Sequence, residues 1–115
     1  MQSIKRENCS TFPLVLKGKW YNLIRVGKKK EEYRDYKEHW IKRIENWQGK
    51  RFDGNLFGDE KIDIIAFSAG YRKPDMFFKC DRIEIREGTP QHPDWGEPES
   101  RHFVIGLGER VEIED

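Results

Sequence analysis

The chain has 115 residues, 36% hydrophobic, 37% charged and 13% aromatic, with a net charge of +1. This length gives one compact domain with its own core and leaves no room for two. Four Trp, four Tyr and seven Phe bury enough area to exclude the disorder that the charge content alone would suggest.

In chain order, residues 1–12 are polar and aperiodic and read as a flexible leader, so the domain is expected over residues 13–115. Leu14, Val15 and Leu16 make a short buried strand that Gly18 interrupts. Trp20, Leu23, Ile24 and Gly27 recur at helical spacing, which predicts a helix over residues 19–26 with Gly27 as its left-handed cap. A charged strand follows, through Arg34. Asp35 and Glu38 form a D-x-x-E capping box for a second helix, whose apolar stripe is Trp40, Ile41, Ile44 and Trp47. Gln48, Gly49 and Lys50 end it.

Residues 51–60 are loop-like, with Phe52, Leu56 and Phe57 available as anchors. Residues 62–69 are apolar on both parities, the mark of a central strand covered on two faces. In residues 76–86 the apolar phase changes, from Met76, Phe78 and Cys80 to Ile83 and Ile85. A bulge near Asp81 and Arg82 reconciles the two phases. A proline-rich loop over residues 89–99 carries Trp95. Phe103, Ile105 and Leu107 alternate in a further strand, and Val111 and Ile113 predict a short last one. Short, bent strands with two helices from the N-terminal half predict an α+β fold around a partly open β-barrel.

The net charge conceals a polarity. Residues 1–51 hold 14 Lys/Arg against 6 Asp/Glu, and residues 52–115 hold 8 against 15. Either the basic half offers a surface to phosphate-bearing partners, or the two halves attract each other across the fold. No apolar run approaches the ~20 residues of a membrane span, and no signal peptide is visible. Cys9 and Cys80 with His39, His92 and His102 lack zinc-site spacing. The expectation is a protein of the reducing cytoplasm with no membrane partner, no metal and no cofactor, and Cys80 as a small core residue.

The densest chemistry lies in residues 27–34, where Gly27, Lys29, Glu32 and Arg34 spell G-x-K-x-x-E-x-R. Glu32 and Arg34 share strand parity and project to one face. Lys29 has the opposite parity and joins them only if a turn at Gly27 brings it round. Glu32 and Arg34 then serve either as a structural ion pair or as part of one concave site with Lys29. A carboxylate beside Lys29 raises the lysine pKa in principle. Lys17, Lys19 and Trp20 open the first helix, where free backbone N–H groups favour an anion, although the spacing of Trp20 with Leu23 and Ile24 is also that of a core residue. Tyr71 and Arg72 follow Gly70, as an ordinary hairpin turn or as a base-stacking and phosphate contact. Trp95 is a stacking platform stiffened by prolines or a plug for one barrel end.

The segment from Leu14 to Ile24, followed by G-x-K-x-x-E-x-R, resembles the ASCH domain family, with looser likeness over residues 67–71, at Trp95 and Gly96, and over residues 103–107. The resemblance implies a PUA-like barrel with a cleft for RNA or a nucleotide, lined by the motif. It implies two activities as well: hydrolysis of the amide of acetylated cytidine, and ribonuclease action. In the amidohydrolase branch the lysine works with a threonine three residues later and a downstream glutamate. Here Lys29 and Arg34 match, Glu32 stands in place of the threonine, and Glu97 and Glu99 are the candidates for the glutamate. The expectation is an RNA- or nucleotide-binding domain using Lys17, Lys19, Trp20, Lys29, Arg34, Tyr71, Arg72 and Trp95. The alternative is a small metal-independent hydrolase using Lys29, Glu32 and Arg34.

Overall fold

The computed structural model describes all 115 residues. It is an α+β fold with one six-stranded mixed sheet and two helices. The elements are β1 (Gln2–Lys5), β2 (Cys9–Leu16), α1 (Gly18–Arg25), β3 (Glu31–Asp35), α2 (Glu38–Gln48), β4 (Ile62–Ala69), β5 (Met76–Arg86) and β6 (His102–Glu114). The sheet runs β1-β6-β5-β4-β2, with β3 also paired to β6. β6 is thus shared along one edge: residues 102–106 pair antiparallel with β3, and residues 111–114 pair parallel with β1.

The strand order forces curvature. β1 and β2 are the outer strands of the path, yet only Arg6, Glu7 and Asn8 separate them. Four Cα steps span at most about 15 Å, whereas the outer two of five flat strands lie about 19 Å apart. The sheet therefore curls until its edges approach, but β2 pairs only with β4 and β3 only with β6. An unpaired seam remains between β2 and β3, and the sheet is open.

The concave face holds the main core. Phe12, Leu14 and Leu16 of β2, Ile65 and Phe67 of β4, Met76 and Phe78 of β5, and Phe103 and Ile105 of β6 meet Ile24 of α1 and Ile44 and Trp47 of α2. A smaller cluster of Ile4, Cys9, Ile64 and Val111 lies elsewhere on the sheet. β4 is buried from Ile64 to Ser68, as its two-parity pattern predicts. In β5 the register against β6 shifts between Phe78 and Cys80 and again between Cys80 and Arg82. This double irregularity keeps Met76, Phe78, Cys80 and Ile83 on the same core despite their change of parity. Cys80 is half-buried against that core, and burial pushes its thiol up to about 12.

Four expectations change. Residues 1–12 are not a loose leader: β1 and the first half of β2 are hydrogen-bonded strands, and Ile4, Cys9 and Phe12 are buried. Their polar residues face solvent from edge strands, so the apolar signal is one residue in two or fewer. The last two predicted strands are a single 13-residue strand, β6, because Gly106 and Gly108 continue the backbone without a turn. The capping box does not form. Asp35 closes β3 and pairs with Lys37 at 3.6 Å, and Lys37 takes the N-cap position without a side-chain bond. Of the residues offered as loop anchors, Phe52 stacks on Phe103 at 5.5 Å, while Leu56 and Phe57 are exposed.

Candidate functional site

The site begins with the end of α1. Gly27 adopts φ +80°, its N–H donates to Ile24 O at 3.0 Å, and Lys28 N–H donates to Leu23 O at 2.9 Å. These are the two bonds of a Schellman cap. The N–H of Lys29 also donates to Leu23 O, at 3.0 Å. The chain therefore folds back over the helix end before β3 starts, and Lys29 arrives on the face that Glu32 and Arg34 occupy.

There Lys29 Nζ lies 3.2 Å from Glu32 Oε1, and Arg34 Nη1 lies 3.0 Å from Glu32 Oε2. The Lys29 side chain is 1% exposed, that of Glu32 6% and that of Arg34 17%. The ammonium also donates to the backbone carbonyl of Trp95 and sits over the rings of Trp20 and Tyr33, at 4.9 and 4.7 Å. Glu32 Oε1 accepts the N–H of Tyr33 at 3.0 Å, and Arg34 donates to the carbonyl of Tyr33 at 2.6 Å. Arg34 also reaches across the seam towards Val15 O at 3.5 Å. Burial pulls the Lys29 pKa down, and the charge and hydrogen bond of Glu32 only partly oppose it. The expected upward pull of Glu32 is present, but burial outweighs it.

A cavity of about 430 Å³ opens at this seam. Val15, Leu16 and Lys17 line it from the β2 edge, Glu32 to Asp35 from β3, Trp40 from α2, and Trp95, Gly96 and Pro98 from the proline-rich loop; Trp20 and Lys29 complete it. Three of the four tryptophans thus face one space. The fourth, Trp47, is core: its Nε1 donates to Ser10 O at 2.8 Å, and Ser10 Oγ donates back to its carbonyl at 2.7 Å.

Strand parity sends Glu31 to the other face of β3. Glu31 accepts from Tyr33 Oη at 2.9 Å and pairs with Arg82 and with Arg86. Arg86 also holds Glu97 at 2.8 and 2.9 Å. Glu97, with no side-chain exposure, accepts from His102 Nε2 at 2.8 Å and from the N–H groups of Gln91 and His92, each at 3.0 Å. For Glu31 and Glu97, burial raises the pKa, but the hydrogen bonds and charge of Arg86 and its neighbours outweigh it and hold both low. Glu97 therefore ties the proline-rich loop to the sheet. That loop brings the Trp95 carbonyl onto Lys29 and sets Gly96, at φ +80°, against the Trp20 ring. His92 stacks on the Trp95 ring at 3.8 Å.

Of the residues expected from sequence, Lys17, Trp20, Lys29, Glu32, Arg34 and Trp95 meet in the cavity. Lys19 lies outside its wall, over Trp20 at 4.7 Å. Tyr71 and Arg72 are not part of it: Tyr71 is 98% exposed in the β4–β5 turn, and Arg72 pairs with Asp75 at 3.4 Å. Neither downstream glutamate reaches it. Glu97 is spent in the second network, and Glu99 is an exposed residue whose carbonyl accepts from Gly88 N–H. Trp95 is a cavity wall rather than a barrel plug. Sequence reasoning missed Trp40, Tyr33 and the network around Glu97. Trp40 was hidden in a core stripe, and the phase change that puts Arg82, Glu84 and Arg86 on one side of β5 was the available signal for the network.

The ion pairs that join the two halves run mostly against their net charges: Glu31 of residues 1–51 meets Arg82 and Arg86 of residues 52–115, whereas a base of residues 1–51 meets an acid of residues 52–115 only in Arg6–Asp115. No cluster of three His, Cys, Asp or Glu side chains is placed to hold a metal ion, and no helix is long and apolar enough to cross a membrane. The chain matches no protein-family model, no curated protein and no solved structure at significant similarity.

Proposed function

We propose that the chain is an ASCH-type, PUA-like domain that binds RNA or a nucleotide in the cavity at the β2–β3 seam. One observation carries this reading: Trp20, Trp40 and Trp95 share a single cavity with Lys17, Lys29 and Arg34. Indole faces stack on any base, and a cation at the rim takes a phosphate. The curled open sheet, with β1 and β2 joined by three residues, supports the partly open barrel in this proposal. The test is fluorescence anisotropy of a labelled short RNA. Arg34→Ala and Lys29→Met are each expected to weaken salt-sensitive binding, and unchanged affinity in both variants would overturn the reading.

A second reading, a metal-independent hydrolase acting on a nucleoside amide or the RNA backbone, is favoured by the downward pull of burial on Lys29. A lysine of lowered pKa holds more of its neutral amine at neutral pH, and only that form can accept a proton as a base. Glu32 then orients it, and Arg34 stabilises developing negative charge. Binding ranks first because Lys29 Nζ is engaged by Glu32 and by the Trp95 carbonyl, and both contacts favour the charged form over the neutral amine that a base requires. Incubation with acetylated cytidine and with labelled single-stranded RNA separates the two readings: turnover of neither substrate eliminates the hydrolase.

A further inference from the structure

We propose that the partner is a single-stranded nucleic acid rather than a free nucleotide, and that its backbone leaves the cavity along α2 over Arg43. The inference rests on the nucleotide-binding reading of the cavity. It is carried by the ring of Trp40, which lines the cavity from α2 and bears two guanidiniums. The Arg34 carbon lies 5.2 Å from the ring centroid, and the Arg43 carbon lies 4.7 Å from it. Arg34 belongs to the cavity wall and Arg43 does not. Arg43 follows Trp40 by three residues, so the two are neighbours on one side of the helix. It also lies over Phe12 at 5.3 Å.

Charge pairing singles Arg43 out. The other cations on this part of the chain are neutralised, Lys42 by Glu38 at 3.1 Å and Lys37 by Asp35 at 3.6 Å. Arg43 has no carboxylate within 4.0 Å, and neither has Lys17 on the far side of the cavity. A half-buried guanidinium fixed between two rings loses little further entropy when it meets an anion. A mononucleotide in the cavity has its phosphate within reach of Lys17 and Arg34 and makes no use of Arg43. A strand of several nucleotides carries a second phosphate past Trp40 to Arg43. The strand is unpaired, because a base stacked and paired in a duplex presents no face to the indoles.

The test compares uridine monophosphate, followed by tryptophan fluorescence, with an eight-nucleotide oligouridylate, followed by anisotropy across a salt series. Wild type is expected to bind the octamer more tightly than the mononucleotide. Arg43→Gln is expected to weaken octamer binding about fivefold and to lower the salt slope by about 0.7, one phosphate contact on a single strand. Its mononucleotide affinity should stay at the wild-type value. Lys42→Gln, one residue away and already paired with Glu38, should change neither. Equal affinity of wild type for the two probes, or equal losses in Arg43→Gln and Lys42→Gln, would overturn the inference while leaving nucleotide binding standing. Binding of neither probe would overturn the cavity reading and this inference with it.

Discussion

The ammonium of Lys29 lies 3.2 Å from the carboxylate of Glu32, with both side chains nearly sealed from solvent. Loss of Glu32 leaves the buried Lys29 ammonium without a carboxylate and strips Arg34 of its partner as well, whereas Glu32 without Lys29 keeps Arg34 at 3.0 Å. Glu32→Leu is therefore expected to cost about 3–5 kcal/mol in urea unfolding. Lys29→Met/Glu32→Leu should recover a large part of that loss, since the two effects are coupled. Additive losses would show that the two side chains do not act as a pair.

The second network sets the acid limit of the fold. Glu31 and Glu97 are held below their ordinary value of 4.5. The unfolded state then binds more protons than the folded state, so their contribution is full above about pH 4.5 and is lost as pH falls towards the folded values. Urea midpoints should fall steadily below pH 4.5, and Glu97→Gln should be less stable at pH 7 with a shallower acid loss. An acid profile unchanged by that substitution would remove Glu97 from the account.

Asp63 works in the opposite direction. Burial raises its pKa to about 6 from 3.8, and no partner opposes the shift. The folded state binds the extra proton between those values, so stability declines as pH rises through that window. Asp63→Asn should stabilise the protein at pH 7 by about 1–3 kcal/mol and do little at pH 3. Equal stabilisation at both pH values would show that the charge is not the cause.

A Cβ at Gly96 would stand 2.8 Å from Cζ2 of Trp20, on a backbone of φ +80° that disfavours any side chain. Gly96→Ala should cost about 1–3 kcal/mol and displace Trp20 or Trp95. The cavity should then bind nucleotides more weakly than the loss of stability alone explains. Wild-type affinity in a correctly folded Gly96→Ala protein would show that the Trp20 wall is not part of the site.

Much of this was legible in the sequence because local signals agreed. Gly27 needed a left-handed conformation, and that one turn brings Lys29 to Glu32 despite its strand parity. The phase change in residues 76–86 foretold the irregular register of β5. The strand at Gln2–Lys5 was not legible, because it buries only Ile4 of its four residues and so leaves little apolar signal. Nor was the fate of Glu97. A carboxylate in a proline-rich loop looks solvent-facing until folding places Arg86, His102 and two N–H groups around it. Tyr71 and Arg72 failed for the reverse reason: the turn they occupy is local, but its distance from the cavity is set by the whole sheet.

The most direct measurement is the ¹⁵N–¹H spectrum of the four indole groups during titration with a short oligouridylate. The Nε1–H signals of Trp20, Trp40 and Trp95 are expected to shift together with saturation, while that of Trp47, bonded to Ser10 in the core, stays in place. Saturable binding that leaves the three cavity indoles unmoved would contradict binding in the cavity.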